Sequence, residues 1–421
     1  MAPLARFTGL MTMAVATIGL SEWLSHDPWR AELIPPLLFG MTVAIAYSRE
    51  AALLLTAAVS TVIVLAIGPS LLEWMLLVGV SAAAIMMIGK IRSRSKLIKV
   101  GVVAGGVAFV LTIGLGVLNN QPLAWPLLQA ATVNLGCAVL AGFLVTGLLP
   151  FIENLFGVLT DISLLELGDV AHPLLRELMR RAPGTYNHSV NVASLAETAA
   201  DAIGANGLLT RVGAYFHDIG KMLKPAYFIE NTNLAAAEAN RHETLVPAMS
   251  TLIIIAHIKD GADLARQHHL PSSIIDFIEQ HHGTTLVEYF YRRANEQRRS
   301  DPDGPHVEES SFRYPGPKPQ SKEAGVLMLA DAVESASRVL VEPTPARVEG
   351  RVEDIALARL HDGQFDDSGL NLRELRIVQD CLIKSLIAMY HGRVKYPSQM
   401  PSPVPSQVSG TRIANPDQRT A

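Results

Sequence analysis

The sequence predicts an all-α protein of two unlike halves: a polytopic transmembrane helical bundle, then an all-helical domain that faces water. Three observations carry this. Apolar residues are 49% of the 421, and the mean hydropathy of +0.27 is high for a chain bathed in water. That excess is concentrated before about residue 158. From Asp161 onward charge rises, apolar residues recur at helical spacing, and no convincing alternating strand pattern appears.

The length allows two or three domains. The expected units are a bundle at 1–158, a helical domain at 159–397, and a tail at 398–421 whose Pro and Ser content predicts disorder. A net charge of −4 calls for no nucleic-acid polymer as partner. Cys137 and Cys381 are the two cysteines, one in each half, which excludes a disulfide framework and a Cys-based zinc cluster.

Six apolar runs precede the polar half: Leu4–Leu24, Ile34–Tyr47, Ala51–Ile67, Leu71–Ile88, Ile98–Leu118 and Leu127–Phe156. A spanning helix needs ~20 mostly apolar residues. The second run is short and carries Pro35-Pro36. Met1–Arg6 has little positive charge and further runs follow, so the first reads as a retained helix rather than a signal peptide. Lys90, Arg92, Arg94, Lys96 and Lys99 lie between runs four and five, and Arg49 between runs two and three. The positive-inside rule places those loops, and with six spans both chain ends, in the cytoplasm. The opposite loops, Ser25–Arg30, Gly68-Pro69-Ser70 and Asn119–Pro122, carry almost no Lys or Arg. Trp23, Trp29, Trp74 and Trp125 fall near the outer ends of runs, as interface anchors do. Glu73 stands at the start of a run, and no charge pattern of a transporter is evident. The bundle reads as an anchor or, more sharply, as a sensor that relays a signal inward.

In the polar half, helices are expected at Leu174–Met179, Val190–Ile203, Leu208–Phe216, Leu245–His257, Gly261–His268, Ser272–Gln280, Val287–Gln297, Lys322–Leu340, Arg347–Leu360 and Leu372–Tyr390. Pro271 opens the sixth of these. Arg298–Gln320, with Asp301-Pro302-Asp303-Gly304-Pro305 and Pro315-Gly316-Pro317-Lys318-Pro319, is not helical. Its length makes it either functional or disordered.

The chemistry gathers around the doublet His217-Asp218, with His188, His257, His281-His282 and Asp331 in the same half. Imidazole is the commonest transition-metal ligand among side chains, and a carboxylate can bridge two ions with its two oxygens. Asp331 interrupts the apolar face Leu329-Ala330-Asp331-Ala332, a costly place for a carboxylate unless it is paired or metal-bound. His257 ends the apolar run Leu252–Ala256, and Gly283 follows His281-His282 as it would a helix end. Two metals about 3.5–4 Å apart are a standard device for splitting phosphate esters. A lone histidine is more often a plain core or surface residue; His172, His242, His268, His269, His306, His361 and His391 are assigned no metal role, His242 and His268 being the least easily dismissed.

In order along the chain stand Gly184-Thr185-Tyr186-Asn187-His188-Ser189, His217-Asp218-Ile219-Gly220-Lys221, Ala256–Gly261, Glu279-Gln280-His281-His282-Gly283-Thr284-Thr285 and Arg313–Gln320. This set resembles the HD superfamily of metal-dependent phosphohydrolases, and within it the 7TM-HD family of membrane-anchored cyclic di-AMP phosphodiesterases. The resemblance implies two divalent transition metal ions, iron or manganese. His188, His217, Asp218 and Asp331 would hold one, and Asp218 would bridge to a second held by His257, His281 and His282. Donors without thiolate suit either metal and also zinc. It further implies in-line hydrolysis of the cyclic dinucleotide to the linear dinucleotide with a 5′ phosphate, at a cell membrane and on its cytoplasmic side. Asp218 and Lys221 are the expected catalytic groups, with Lys221 neutralising phosphate charge; Arg313, Tyr314 and Lys318 are expected to cover the substrate by stacking and charge. The expected partners are the cyclic dinucleotide, the lipid bilayer and a second copy of the chain in a homodimer.

Family members usually carry an extracytoplasmic domain ahead of the bundle, whereas this sequence begins at what resembles the bundle's second helix; a misassigned start or a lost sensor domain is expected. Two rival readings share the residues. One is the same fold acting on cyclic di-GMP or on a nucleotide mono- or triphosphate; HD enzymes of the first kind carry a downstream Gly-Tyr-Pro motif that is absent here. The other is a non-catalytic membrane receptor whose HD domain only binds ligand, against which the complete ligand set argues.

Overall fold

The computed structural model describes residues 3–26, 29–68, 70–89, 91–232, 241–300, 306–340 and 343–391. The expected tail 398–421, the boundary at 397, Asp27, Pro28, Pro69, Lys90 and the segment Asp301–Pro305 lie outside them. Among the described residues there is no strand, only an isolated bridge between Leu286 and Arg313.

Six helices form the bundle: α1 (Pro3–Ser25), α2 (Ile34–Ala46), α3 (Arg49–Ile67), α4 (Leu71–Met87), α5 (Arg94–Leu118) and α6 (Trp125–Phe156). Four contain stretches long and apolar enough to cross a membrane: Arg6–Ser25, Arg49–Ile67, Arg94–Leu118 and Trp125–Phe156. The other two are shorter, at 13 residues for α2 and 17 for α4. At 1.5 Å per residue α2 reaches about 20 Å, short of a ~30 Å hydrocarbon core. It is the helix most fully enclosed by its neighbours, buried from Pro35 through Val43 except at Leu38. Its prolines occupy the first turn, where no intrahelical N–H is lost. Ser48 and Ser70 cap α3 and α4 by accepting from the amides of Ala51 and Glu73.

α5 and α6 approach closely where Gly101 faces Gly142. A Cβ on either would lie within 3 Å of the other's Cα, so the contact requires two residues without side chains. α6, at 32 residues, is longer than a membrane crossing needs and ends on left-handed Gly157. Just beyond, Glu153 accepts from the Thr160 amide and the Ser163 hydroxyl, which fixes the turn into α7 (Asp161–Leu167). Arg92 and Arg94 reach Asp161 and Glu166 across the same junction.

The second half contains α8 (Pro173–Arg181), α9 (Pro183–Ala202), α10 (Gly207–Phe216), α11 (Pro247–Gln267), α12 (Ser272–Gln280), α13 (Glu288–Ser300), α14 (Lys322–Ser337), α15 (Pro345–His361) and α16 (Leu372–His391). A tight 3₁₀ turn at Ile219–Leu223 follows α10. One apolar core joins α9, α14, α15 and α16 through Val192, Leu327, Val333, Val352 and Leu382; a second joins α8, α10, α11 and α12 through Leu174, Phe216, Ala265 and Ile278.

Four sequence expectations differ from the structure. The short helix α7 was not expected. α9 begins seven residues earlier than Val190, because Pro183-Gly184 opens the helix rather than breaking it. Leu245–His257 and Gly261–His268 are one continuous helix, α11, in which Gly261 is interior. Finally, α13 runs to Ser300, and Glu309–Phe312 forms a 3₁₀ turn, so part of Arg298–Gln320 is helical after all.

Candidate metal centre

The proposed ligands arrive on five separate elements. His188 projects from α9, His217 caps α10 with Asp218 next to it, His257 lies in α11, His281-His282 close α12, and Asp331 lies in α14. All but His282 are at most 5% exposed. The approach of the His217-Asp218 turn to α11 depends on Gly220. A Cβ there would fall 2.0 Å from the His257 carbonyl oxygen and 2.6 Å from the Gly261 amide nitrogen. Glycine at 220 thus sets the distance between two ligand-bearing elements.

The donors converge in groups whose atoms lie within 4.8 Å of one another: His188, His217 and Asp331; His217, Asp218 and His281; and His257, His281 and His282. Asp218 joins them. Its Oδ2 lies 3.2 Å from His217 Nε2 and 3.6 Å from His188 Nε2. Its Oδ1 lies 3.4 Å from His257 Nε2 and 3.6 Å from His281 Nε2. Asp331 Oδ1 is 2.9 Å from His188 Nε2, and its Oδ2 is 3.8 Å from His282 Nδ1.

Four imidazoles are oriented through their other nitrogen. Nδ1 of His217 donates to the Ala214 carbonyl (2.6 Å), that of His257 to Ile254 and that of His281 to Ile278 (2.9 Å). His188 Nδ1 donates to Glu334 Oε2 at 2.6 Å. Each Nε2 is thereby turned inward, as a metal ligand requires. His217 Nε2 and Asp218 Oδ1 are buried and make no hydrogen bond, while Asp218 Oδ2 has the Lys221 ammonium as an ion-pair partner. Orphaned buried donors and acceptors are rare and costly, and this nitrogen and oxygen set without thiolate fits two transition metal ions.

Charge divides the site. Burial alone would raise Asp218 and Asp331, but cationic His217 and Lys221 hold Asp218, and His188 with His217 hold Asp331, well below the usual carboxylate range. Burial opposes charge on His217, yet Asp218 and Asp331 keep its pKa up at about 10. On the other side burial pushes His257 down to about 3 and His282 well below its ordinary value, which favours the neutral imidazole in both.

Two acids that sequence reading passed over support the centre. Glu334 is held by Arg338 (2.7 Å) and Asn191 (3.2 Å) while it accepts from His188. Glu230 lies 3.1 Å from Lys221 Nζ and accepts from the Thr185 hydroxyl. The one sequence signal for Glu334 was its place three residues after Asp331 on an otherwise apolar helix; Glu230 had none. Replacing Glu334 with alanine is expected to weaken metal binding by about 10–100-fold, the usual effect of removing a partner that orients a ligating histidine. A metal titration of the variant monitors this, and unchanged affinity would refute the role.

A cavity of about 590 Å³ opens beside the centre. His257, His282 and Lys221 line it together with the aromatic rings of Tyr227, Phe228, Tyr289, Phe290 and Tyr314. Lys221 Nζ stands 2.7 Å from Asp218 Oδ2 and 5.2 Å from the centre of the Phe228 ring. Tyr314 is pinned by its amide to the Thr285 carbonyl (2.9 Å) and stacks on His282, centroids 4.3 Å apart. Arg313 and Lys318 are engaged elsewhere. Arg313 makes a bidentate pair with Asp362, and Lys318 pairs with Asp366; neither lines the cavity. His242, given no metal role, lines the cavity and donates to the Tyr227 carbonyl.

Residues 185–336 match the family model of the HD domain, and residues 4–160 match that of the 7TM receptor with intracellular HD hydrolase. The chain is 42% identical over 320 residues to the cyclic-di-AMP phosphodiesterase PgpH of Bacillus subtilis, covering 75% of this chain and 43% of that protein. It is 42% identical over 321 residues to the protein of the same name from Listeria monocytogenes, with the same two coverages. The chain therefore spans less than half the length of these relatives. A crystal structure of the L. monocytogenes PgpH HD domain is 46% identical, covers 52% of this chain and all of that one, and superposes with a TM-score of 0.48. The same domain in complex with cyclic di-AMP gives 45% identity, coverages of 53% and 100%, and a TM-score of 0.49. With both family models matched in order on its two halves, the chain belongs to the 7TM-HD family.

Proposed function

We propose that this chain is a membrane-anchored phosphodiesterase that uses two divalent ions, iron or manganese, to hydrolyse cyclic di-AMP to the linear dinucleotide. The observation that carries this reading is the placement of Asp218, whose two carboxylate oxygens face two different histidine sets. His188, His217, Asp218 and Asp331 would hold one ion and Asp218, His257, His281 and His282 the other, and the pair would supply water of lowered pKa and charge to offset that of the phosphate. Asp218 fixes the spacing of the two sets, and the Nδ1 hydrogen bonds of His188, His217, His257 and His281 hold those imidazoles in place before substrate arrives. Lys221, kept charged by Asp218 and Glu230 against its burial, presents a cation to the phosphate at the cavity edge. Tyr289, Phe228 and Tyr314 offer ring faces to the bases, since stacking needs no particular hydrogen-bond pattern. The cyclic dinucleotide is chosen because two relatives bear its phosphodiesterase name. Arg92, Arg94, Lys96 and Lys99 near the junction with the second half support a cytoplasmic position for the centre.

The purified full chain, loaded with manganese, is expected to cleave cyclic di-AMP in preference to cyclic di-GMP and nucleoside triphosphates. Faster cleavage of either competitor sinks the substrate assignment. Tyr289, about two-thirds exposed, lines the cavity but is not one of the candidate metal ligands. Its replacement by alanine is expected to raise KM about tenfold, within the ~1–3 kcal/mol that one stacked base contributes, with kcat and metal content unchanged. A KM equal to that of the unaltered protein removes Tyr289 from substrate binding.

A further inference from the structure

Five imidazoles reach the metal centre, and a hydrogen bond from Nδ1 turns four of them inward. His282 is the exception. It is half-buried where the others are buried, and its ring makes no hydrogen bond to any described residue. Its Nδ1 stands 3.8 Å from Asp331 Oδ2, beyond hydrogen-bond reach. A ring free to rotate loses that freedom when it takes a ligand, which weakens binding. The structure restrains this ring through its neighbours instead. Tyr314 stacks on it, with the planes 27° apart, and is tied to the turn after His282 by its own amide. That turn is fastened by Gln364, which is fully buried between α15 and α16. Gln364 Oε1 accepts from the Thr284 amide at 3.0 Å, and Nε2 donates to Thr284 Oγ1 and to Asp362 Oδ2, each at 2.9 Å. Asp362 in turn makes the bidentate pair with Arg313, and Arg313 Nη1 donates to the Thr284 carbonyl at 2.8 Å. The amide, hydroxyl and carbonyl of Thr284 are thus all held, in a closed ring of four residues. Gly283 makes room for it, since a Cβ there would collide with Gln364 Oε1.

We infer that Gln364 and Asp362 are positioning residues for the ion on the His257 side. Through Thr284 and Arg313 they fix the turn that carries His282, and so do for this imidazole what an Nδ1 hydrogen bond does for the other four. The inference rests on the two-metal reading above. The chemistry of each member suits the task. A neutral primary amide both accepts from an N–H and donates to oxygen, and Gln364 does both at once. Its removal would leave the Thr284 N–H and the Asp362 carboxylate short of a buried partner, which costs more than the bond itself contributed. Arg313 neutralises Asp362, and a bidentate pair fixes orientation as well as distance. Part of the centre's geometry is thereby set by the connection between α15 and α16, which supplies no ligand of its own.

The test titrates manganese into the metal-free full chain in detergent and follows the heat of binding. The unaltered protein is expected to bind two ions, and the phase missing from His257→Ala marks the ion on that side. Gln364→Met keeps a similar volume without the amide. It should weaken that ion by about 10–100-fold, the usual effect of removing a partner behind a ligand, and leave the ion on the His188 side unchanged. The unchanged ion shows within the same titration that the fold is intact. Asp362→Asn should weaken the same ion by less, and it decides the question by the same outcomes where Gln364→Met does not fold. Two ions held as tightly as in the unaltered protein overturn the inference and leave the two-metal reading standing. Equal weakening of both ions also overturns it, since a general loss of structure does not choose between them. Fewer than two ions on the unaltered protein overturn the two-metal reading itself, and the inference with it.

Discussion

Asp218→Ala is expected to lose both metal ions and to cut turnover at least about 10³-fold, the upper range for removing one preorganised electrostatic group. The reason is geometric. Each oxygen of this carboxylate faces a separate set of imidazoles, so its loss opens both sets at once. His257→Ala, by contrast, is expected to empty one position and leave the His188 side occupied, because His257 approaches Oδ1 alone. Metal analysis of the two purified variants separates these outcomes. Retention of both ions in Asp218→Ala would rule out a bridging carboxylate. The fold should survive the substitution, since Lys221 keeps Glu230 as a partner and the apolar cores on either side of the site are untouched. Unchanged helical circular dichroism is the control.

What could be read from the sequence depended on the range of the interaction concerned. The all-helical class was legible, and so were the residues that the fold brings together as candidate ligands. Helical periodicity is local, and a carboxylate at Asp331 or a histidine at the end of Leu252–Ala256 breaks an apolar face visibly. The continuity of α11 was not legible. Gly261 reads locally as a break, and only the Gly220 turn packed against it shows why a residue without a side chain belongs inside that helix. Glu230 and Glu334 escaped notice for a related reason. An acid on a helix or turn is ordinarily a solvated group, and its function appears only when Lys221 or His188 is seen to face it. Arg313 and Lys318 show the converse. They were expected to cover the substrate, but Asp362 and Asp366, about 50 residues further on, pair with them in the loop.

The packing of Gly220 on α11 yields the second large effect. Gly220→Ala is expected to destabilise the protein by about 3 kcal/mol, at the upper end of overpacking penalties. The obstruction is backbone, the His257 carbonyl oxygen at 2.0 Å and the Gly261 nitrogen at 2.6 Å, and no side-chain rotation relieves it. The relief available is a shift of α11, which carries His257 away from Asp218, so the ion on the His257 side should be lost before the other. Gly261→Ala provides the comparison across the same contact. There the nearest atom is the Cγ2 methyl of Ile278 at 3.0 Å, and the Gly220 backbone stands at 3.2 Å or beyond. A shift of a few tenths of an ångström relieves these contacts, and alanine favours the interior of a helix by about 1 kcal/mol over glycine, so this variant should lose much less stability than Gly220→Ala. Thermal unfolding of the two proteins, with metal content measured on each, tests the ordering. Equal stability would mean that the turn after His217 is not held against α11 by the absence of a side chain at Gly220.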